Sequence, residues 1–299
     1  MKVFITGSNG LLGQKLLDKL SVDKSVDIIA TSKGPNRVTL NKDCKYISLD
    51  ITKESELRNI LLEENPDIVI NTAAMTNVDL CEDNKALCDD INVNAVEYLA
   101  DICLSINAHL IHLSTDFIFD GEKGMYSEDD KPNPLSYYGL SKYKSEKILY
   151  NHSCRWTIIR TIVVFGVAEN LKKRNIVLWA KDVLEKGEAL NIIDDQFRAP
   201  TLAEDLADAC ILAAKKRKCG IFNASGKDMM SIYEIVEHVA KYYGYPTDKI
   251  NKVSTKTLNQ KAVRPPKTAF ILDKSREVLG YEPHSFEQCL DIITQQLNK

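Results

Sequence analysis

Tyr138 and Lys142 stand four residues apart in the segment Tyr138-Gly-Leu-Ser-Lys142. Four residues is about one turn of helix, so the two side chains share a face, and an ammonium beside a phenol favours the phenolate. An unperturbed phenol, with a pKa of about 10, is a poor proton partner at neutral pH, so the pair is equipment for delivering a proton to a carbonyl oxygen. Thr115 follows the apolar run 108–113 in Leu113-Ser-Thr115-Asp116. That places it at the end of a central strand, where ligands of parallel sheets lie and where its hydroxyl can donate to a substrate oxygen. Alone, a Tyr and a Lys at helical spacing are ordinarily surface residues, and a strand-end threonine ordinarily satisfies backbone. What gives these residues weight is the stretch of chain before them.

Lys2–Thr6 reads as a buried strand that runs into Gly7-Ser-Asn9-Gly10-Leu11-Leu12-Gly13, and a helical pattern follows through Leu16, Leu17 and Leu20. Glycines at such a junction allow the tight turn, the close approach of a pyrophosphate to backbone, and close packing of helix on strand. The spacing, Gly-x-x-Gly-x-x-Gly, is one residue longer than the fingerprint of ordinary dinucleotide dehydrogenases. A second apolar run, 68–70, ends in Asn71-Thr-Ala73-Ala74, small residues against which a cofactor can lie. After the strand candidate ending at Thr31 come Ser32 and Lys33, with Arg37 nearby and no acid. A site selective for NAD places an acid there for the adenosine 2′-hydroxyl, whereas a 2′-phosphate needs a cation and a small hydroxyl, so NADP(H) is favoured over NAD(H).

The elements that must position these residues alternate. Strand candidates at 2–6, 26–31, 44–49, 67–72, 108–114 and 155–161 are separated by helix candidates at 11–20, 54–64, 83–105 and 138–152, which predicts an α/β fold, a Rossmann-type doubly wound parallel sheet. Beyond 162 the pattern loosens, with helices expected at 175–186, 203–216, 231–243 and 286–298. We expect residues 1–161 to form a dinucleotide-binding domain, with later segments returning to it, and 162–299 to form mainly a smaller C-terminal substrate-binding lobe.

The order of Gly7-x-x-Gly10-x-x-Gly13, Asn71-Thr-Ala-Ala74-Met-Thr-Asn-Val-Asp79, Cys81-Glu82, Ser114-Thr-Asp-Phe-Ile-Phe-Asp-Gly121, Tyr138-Gly-Leu-Ser-Lys142, Asp195-Gln-Phe-Arg-Ala-Pro-Thr201 and Arg264-Pro265 resembles that of extended short-chain dehydrogenases/reductases. Within them it is similar to the dTDP-4-dehydrorhamnose reductase group. The resemblance implies that Tyr138 gives a proton to a carbonyl oxygen, that Lys142 lowers that phenol's pKa and binds the nicotinamide ribose, and that Thr115 hydrogen-bonds the substrate oxygen. It implies cofactor contacts at Gly7, Asn9, Gly10, Leu11, Leu12, Ser32, Lys33, Asp50, Ile51, Ala73 and Ala74, with Asp50 near the adenine, and nucleotide-sugar contacts at Thr76, Val78, Asp116, Phe117, Arg198 and Arg264. Two positions depart from the group: Arg198 stands where a glycine is common, and Pro266-Lys-Thr follows Arg264-Pro265 where Asn-Ser is usual.

The implied reaction is reduction of a nucleotide-linked 4-keto-6-deoxy sugar, dTDP-4-dehydrorhamnose to dTDP-L-rhamnose. Two alternatives stand beside it. Dehydratases and epimerases share the fold, but the dehydratases follow the threonine with Asp and Glu, and here Phe117 follows Asp116. The non-catalytic regulatory subunit of methionine adenosyltransferase also resembles this group; Tyr138, Lys142 and Thr115 together argue for retained chemistry.

The 299 residues carry a net charge of −3, which gives no electrostatic case for nucleic acid or an anionic membrane, and the Lys/Arg clusters near 172–174 and 215–218 read as solvated faces. No apolar run approaches the ~18 residues of a membrane span. Eight cysteines without a Cys-x-x-Cys pair predict free thiols, and a cytoplasmic location is expected. His109 and His112, three apart on one strand, point to opposite faces, which argues against a shared metal, and no compact carboxylate cluster suggests a magnesium site. A homodimer is compatible with this reading.

Overall fold

The computed structural model describes residues 1–40, 44–171, 175–257 and 260–298. The basic run at 172–174 lies outside them. Among the described residues, seven parallel strands form the main sheet, in the order Gly220–Asn223, Arg155–Thr161, β5 (His109–Thr115), β4 (Ile68–Asn71), β1 (Lys2–Thr6), β2 (Asp27–Ser32) and β3 (Cys44–Ser48). These strands read as nearly continuous apolar runs because both faces are covered. Along them the residues alternate: Val3, Ile5, Ile70 and Ile111 face a core shared with α1 (Leu11–Leu20) and the helix Ala203–Lys216, while Phe4, Val69 and Leu110 face Leu57, Leu61, Leu99 and Leu149.

β1 has β2 on one side and β4 on the other, so the winding reverses between β1 and β4, and the crevice beyond the carboxyl ends opens there. The register sets Thr6 opposite both Thr31 and Asn71, and Asn71 opposite His112. The strand ends that carry the candidate residues are therefore level.

A third apolar cluster, with Phe165, Leu184, Leu190, Ile235, Val239, Phe286 and Leu290, forms the centre of the later part of the chain. A small sheet in the order Met230–Ser231, Phe197–Arg198, Lys267–Phe270, Gly124–Tyr126 ties that part to the loop after β5. From the later part of the chain, Gly220–Asn223 is an edge strand of the main sheet beside Arg155–Thr161, and Phe270, Leu279 and Tyr281 share the core under α1.

One predicted helix is corrected. The helix expected over 83–105 is not continuous: a short helix Val78–Asp83 ends where it was expected to begin, and three pieces follow, Lys85–Asp89, a π-helical turn Asp90–Asn94 and Ala95–Ser105. Asn84, with φ −130 and ψ 59, interrupts it. The extra residue in the π turn rotates Asn92 into the interior, a device frequent beside functional sites. Its amide donates to the Ser141 hydroxyl at 3.0 Å and accepts from Met75 N at 2.8 Å, pinning the loop after β4 to the Tyr137–Tyr150 helix.

Candidate functional site

At the switch point the chain encloses a cleft of about 460 Å³. Its walls are the first turn of α1, the loop after β4, the end of β5 and the Tyr137–Tyr150 helix. The floor shows why the glycines are there. Gly7 has φ +68, and a Cβ on it would stand 2.8 Å from Ala73 N, while one on Gly13 would meet Gly7 O at 2.5 Å. The turn thus presses against β4's end, and α1 presses against the turn. α1 starts behind Gly10 with no side chain capping it, and Gly10 through Gly13 line the cleft. A backbone cradle at a helix amino terminus suits a pyrophosphate.

The Tyr137–Tyr150 helix is capped by the Ser136 hydroxyl, which accepts from Gly139 N at 3.2 Å. Gly139 lies in contact with the turn Asp116–Ile118: a Cβ there would be 2.1 Å from Phe117 O. That approach sets the phenol of Tyr138 beside Thr115 and puts the Phe117 ring edge-on to it, with centroids 5.6 Å apart. Farther along, buried Glu146 grips buried Arg160 through two bonds of 3.0 and 2.8 Å, fixing the helix to the strand Arg155–Thr161.

The electrostatics depart from the simple Tyr–Lys picture. Burial pushes the Tyr138 phenol above its usual range, with the Thr115 hydroxyl pulling it back only in part. Burial likewise pulls Lys142 down to about 8, against the opposing pull of Glu146 and Cys88. Lys142 is 2% exposed, and its Nζ lies 3.0 Å from His112 Nε2. In the free protein, then, desolvation dominates both groups, and the expected lowering of the phenol is not present.

Other sequence candidates separate into those brought to the cleft and those not. Leu11, Leu12, Ala74, Thr76, Val78, Asp116 and Phe117 line it; Gly7 and Ala73 lie beneath it. Asn9 braces the turn: its N donates to Ser32 Oγ at 3.0 Å and its side chain bonds Pro35 O and Arg37 N. Lys33 extends into solvent and forms an ion pair of 2.7 Å with Asp50. Ile51 is buried behind them. Arg264 makes a two-pronged contact with Asp79 at 2.7 and 3.3 Å.

Arg198, expected among the substrate contacts, is 2% exposed and spends its guanidinium on the carbonyls of Phe197, Pro265 and Pro266, on Gln196, and on Asp116 Oδ2 at 3.6 Å. It clamps the 264–266 loop to β5's end. Asp116 in turn takes hydrogen bonds from Thr115 and Thr268, and burial holds its carboxyl above the usual range despite Arg198.

Sequence reasoning missed Ser114, Thr161 and Val163 on the cleft wall. The buried Ser114 hydroxyl has no hydrogen-bond partner within the protein. Val163 has φ +38, a left-handed backbone unfavourable for a β-branched residue, and nothing in Ile162-Val-Val announces it. Among the described residues, no group of three or more His, Cys, Asp or Glu is placed to hold a metal, and no helix is long and apolar enough to cross a membrane. All eight cysteines are free thiols.

The match that decides the family spans residues 1–299, the whole chain, and is to the RmlD substrate binding domain. The chain belongs to that family. It is an enzyme of the extended short-chain dehydrogenase/reductase type. It is 29% identical to the dTDP-4-dehydrorhamnose reductase of Aggregatibacter actinomycetemcomitans over 98% of each chain. It is 28% identical to methionine adenosyltransferase 2 subunit beta of Danio rerio, over 95% of this chain and 86% of that one. The crystal structure of the dTDP-4-dehydrorhamnose reductase of Bacillus anthracis in complex with NADP superposes with a TM-score of 0.83 at 25% identity, covering 99% of both chains.

Proposed function

We propose that this protein reduces the 4-keto group of a nucleotide-linked 4-keto-6-deoxy sugar with NADP(H), dTDP-4-dehydrorhamnose to dTDP-L-rhamnose being the leading case. The observation that carries the reading is the meeting of Tyr138 and Thr115 on one cleft wall, with apolar Phe117 where elimination would need a second carboxylate. The cradle fits a dinucleotide. The turn from Gly7 to Gly13 would hold the pyrophosphate, Ala73 and Ala74 leave room for the cofactor against backbone, Asp50 and Ile51 flank the adenine, Ser32 and Lys33 take the 2′-phosphate, and Lys142 takes the nicotinamide ribose. When bound, a reduced nicotinamide supplies hydride. Tyr138 gives its proton to the carbonyl oxygen as negative charge develops there, and Thr115 turns its hydroxyl from Asp116 to the same oxygen, exchanging one hydrogen bond for another. Thr76, Val78 and Phe117 bound the sugar, and Arg264 stands with Asp79 at the rim.

Burial of Tyr138 works against this role in the free protein, since a phenol held above its usual range is a weaker acid, and the Thr115 hydroxyl offsets that only in part. Similarity to methionine adenosyltransferase 2 subunit beta does not displace this reading, since Tyr138, Thr115 and Lys142 are all present on the cleft wall.

Following NADPH absorbance while offering nucleotide 4-keto sugars tests the reading, with oxidation expected for a dTDP-4-keto-6-deoxy sugar. Formation of a dehydrated sugar from dTDP-glucose without net cofactor use would overturn it. Calorimetric titration should give a lower Kd for NADPH than for NADH, and Lys33→Glu should weaken NADPH selectively. Equal affinities in the parent protein would remove Ser32 and Lys33 from cofactor choice.

A further inference from the structure

Behind Lys142 a row of buried polar side chains crosses the sheet, each on a strand adjacent to the last. Lys142 Nζ lies 3.0 Å from His112 Nε2, His112 Nδ1 lies 3.2 Å from Asn71 Nδ2, and Asn71 Oδ1 accepts from Thr6 Oγ1 at 2.6 Å. Their exposures are at most 2%. The Ser145 hydroxyl, 3.1 Å from His112 Nε2, donates to Lys142 O at 2.7 Å and so can only accept from the ring.

Valence leaves this row two self-consistent states. A buried neutral imidazole carries one proton. With Asn71 Nδ2 turned to the ring, Nδ1 must accept, so the proton sits on Nε2. An ammonium cannot donate to a nitrogen that already bears hydrogen, so in this state Lys142 is the free amine. In the other state Lys142 is an ammonium donating to Nε2, the Ser145 oxygen gives up its bond from the ring, the ring proton sits on Nδ1, and the Asn71 amide is reversed, its oxygen to His112 and its NH2 to Thr6 Oγ1. The two ends of an amide are nearly equal in shape, so the reversal needs no new space. The hydrogen bond Thr6 donates to Asn71 Oδ1 favours the first state.

We propose that His112 and Asn71 form a tautomer relay that sets the protonation state of Lys142. His112 is thus a positioning residue that acts on the reaction through the lysine; the assignment rests on the proposed role of Lys142 at the cofactor ribose. Between the states Lys142 loses one proton to solvent, and His112 keeps one ring proton throughout. The other titratable groups acting on Lys142 are Glu146 on its own helix and Cys88 on Lys85–Asp89, with Tyr138 on the same cleft wall; burial keeps His112 itself from charging.

The test is long-range 1H–15N correlation of the imidazole nitrogens in the free protein labelled at histidine, recorded from pH 6 to 10. The relay gives His112 as the Nδ1–H tautomer at the acid end and Nε2–H at the alkaline end, with a midpoint near 8, where burial places Lys142. One tautomer across the range, or an imidazolium at the acid end, would overturn it. Thr6→Val, which removes the hydroxyl that Asn71 bonds in both states, should shift the midpoint; an unmoved midpoint removes Thr6 from the relay. These spectra need no substrate, so a switching histidine in a protein that oxidises no NADPH would contradict only the reductase reading.

Discussion

Tyr138 and Lys142 show how one environment can serve two groups in opposite ways. Desolvation holds Tyr138 protonated and makes Lys142 easier to discharge. Removing only the phenol oxygen should leave the edge-on packing against Phe117 intact, so Tyr138→Phe should lower turnover at least ~10²-fold with cofactor affinity little changed, as steady-state kinetics and titration would show. For Lys142 the sign is reversed from the usual salt-bridged lysine. Its folded pKa, about 8, lies below the ordinary 10.5, so the unfolded chain binds more protons between those values and stability rises with pH across that window. Below it, the cost of the buried charge is fully present. Lys142→Met should therefore raise stability at neutral pH, by an amount on the order of 3 kcal/mol, while abolishing turnover, and the gain should fade toward pH 10. Denaturant midpoints at pH 7 and 10 decide it; a variant less stable at both would mean that Lys142's contacts outweigh its desolvation.

At the scale of elements, the decisive contact is that of the Tyr137–Tyr150 helix with the turn after β5. Gly139 makes it possible, and a glycine inside a helix, otherwise costing about 1 kcal/mol relative to alanine, is the visible trace of it. Gly139→Ala should drive the helix from Phe117 O, lowering Tm and reducing turnover by more than the loss of cofactor affinity; unchanged turnover would mean that this contact does not set the Tyr138–Thr115 geometry. Helices with a clear 3.6-residue period and the central strands were legible in the sequence, the segments 155–161 and 203–216 to the residue. The break at Asn84 and the π turn were not, because an apolar stripe survives one inserted residue. The two-residue strands at 197–198 and 230–231 were also hidden, being too short to display a period.

Across the whole molecule, the strand order brings the ends of β1, β4 and β5 to one level, and the cleft is assembled from segments more than a hundred residues apart. Glycine spacing, the Tyr/Lys pair and the strand-end threonine announced that site because their chemistry is local. The partners of Arg198, the 264–266 carbonyls and Asp116, were not legible, because they meet it only through the small sheet. The relay of His112 and Asn71 was equally unreadable, since its members adjoin only through strand register. The central claim is that these parts reduce a nucleotide keto sugar. Incubating the protein with a dTDP-4-keto-6-deoxy sugar and NADPH deuterated at the transferring position, followed by mass spectrometry of the sugar nucleotide, tests it directly. The account predicts a product that has gained one deuterium and one hydrogen; an unlabelled sugar with the cofactor intact would contradict it.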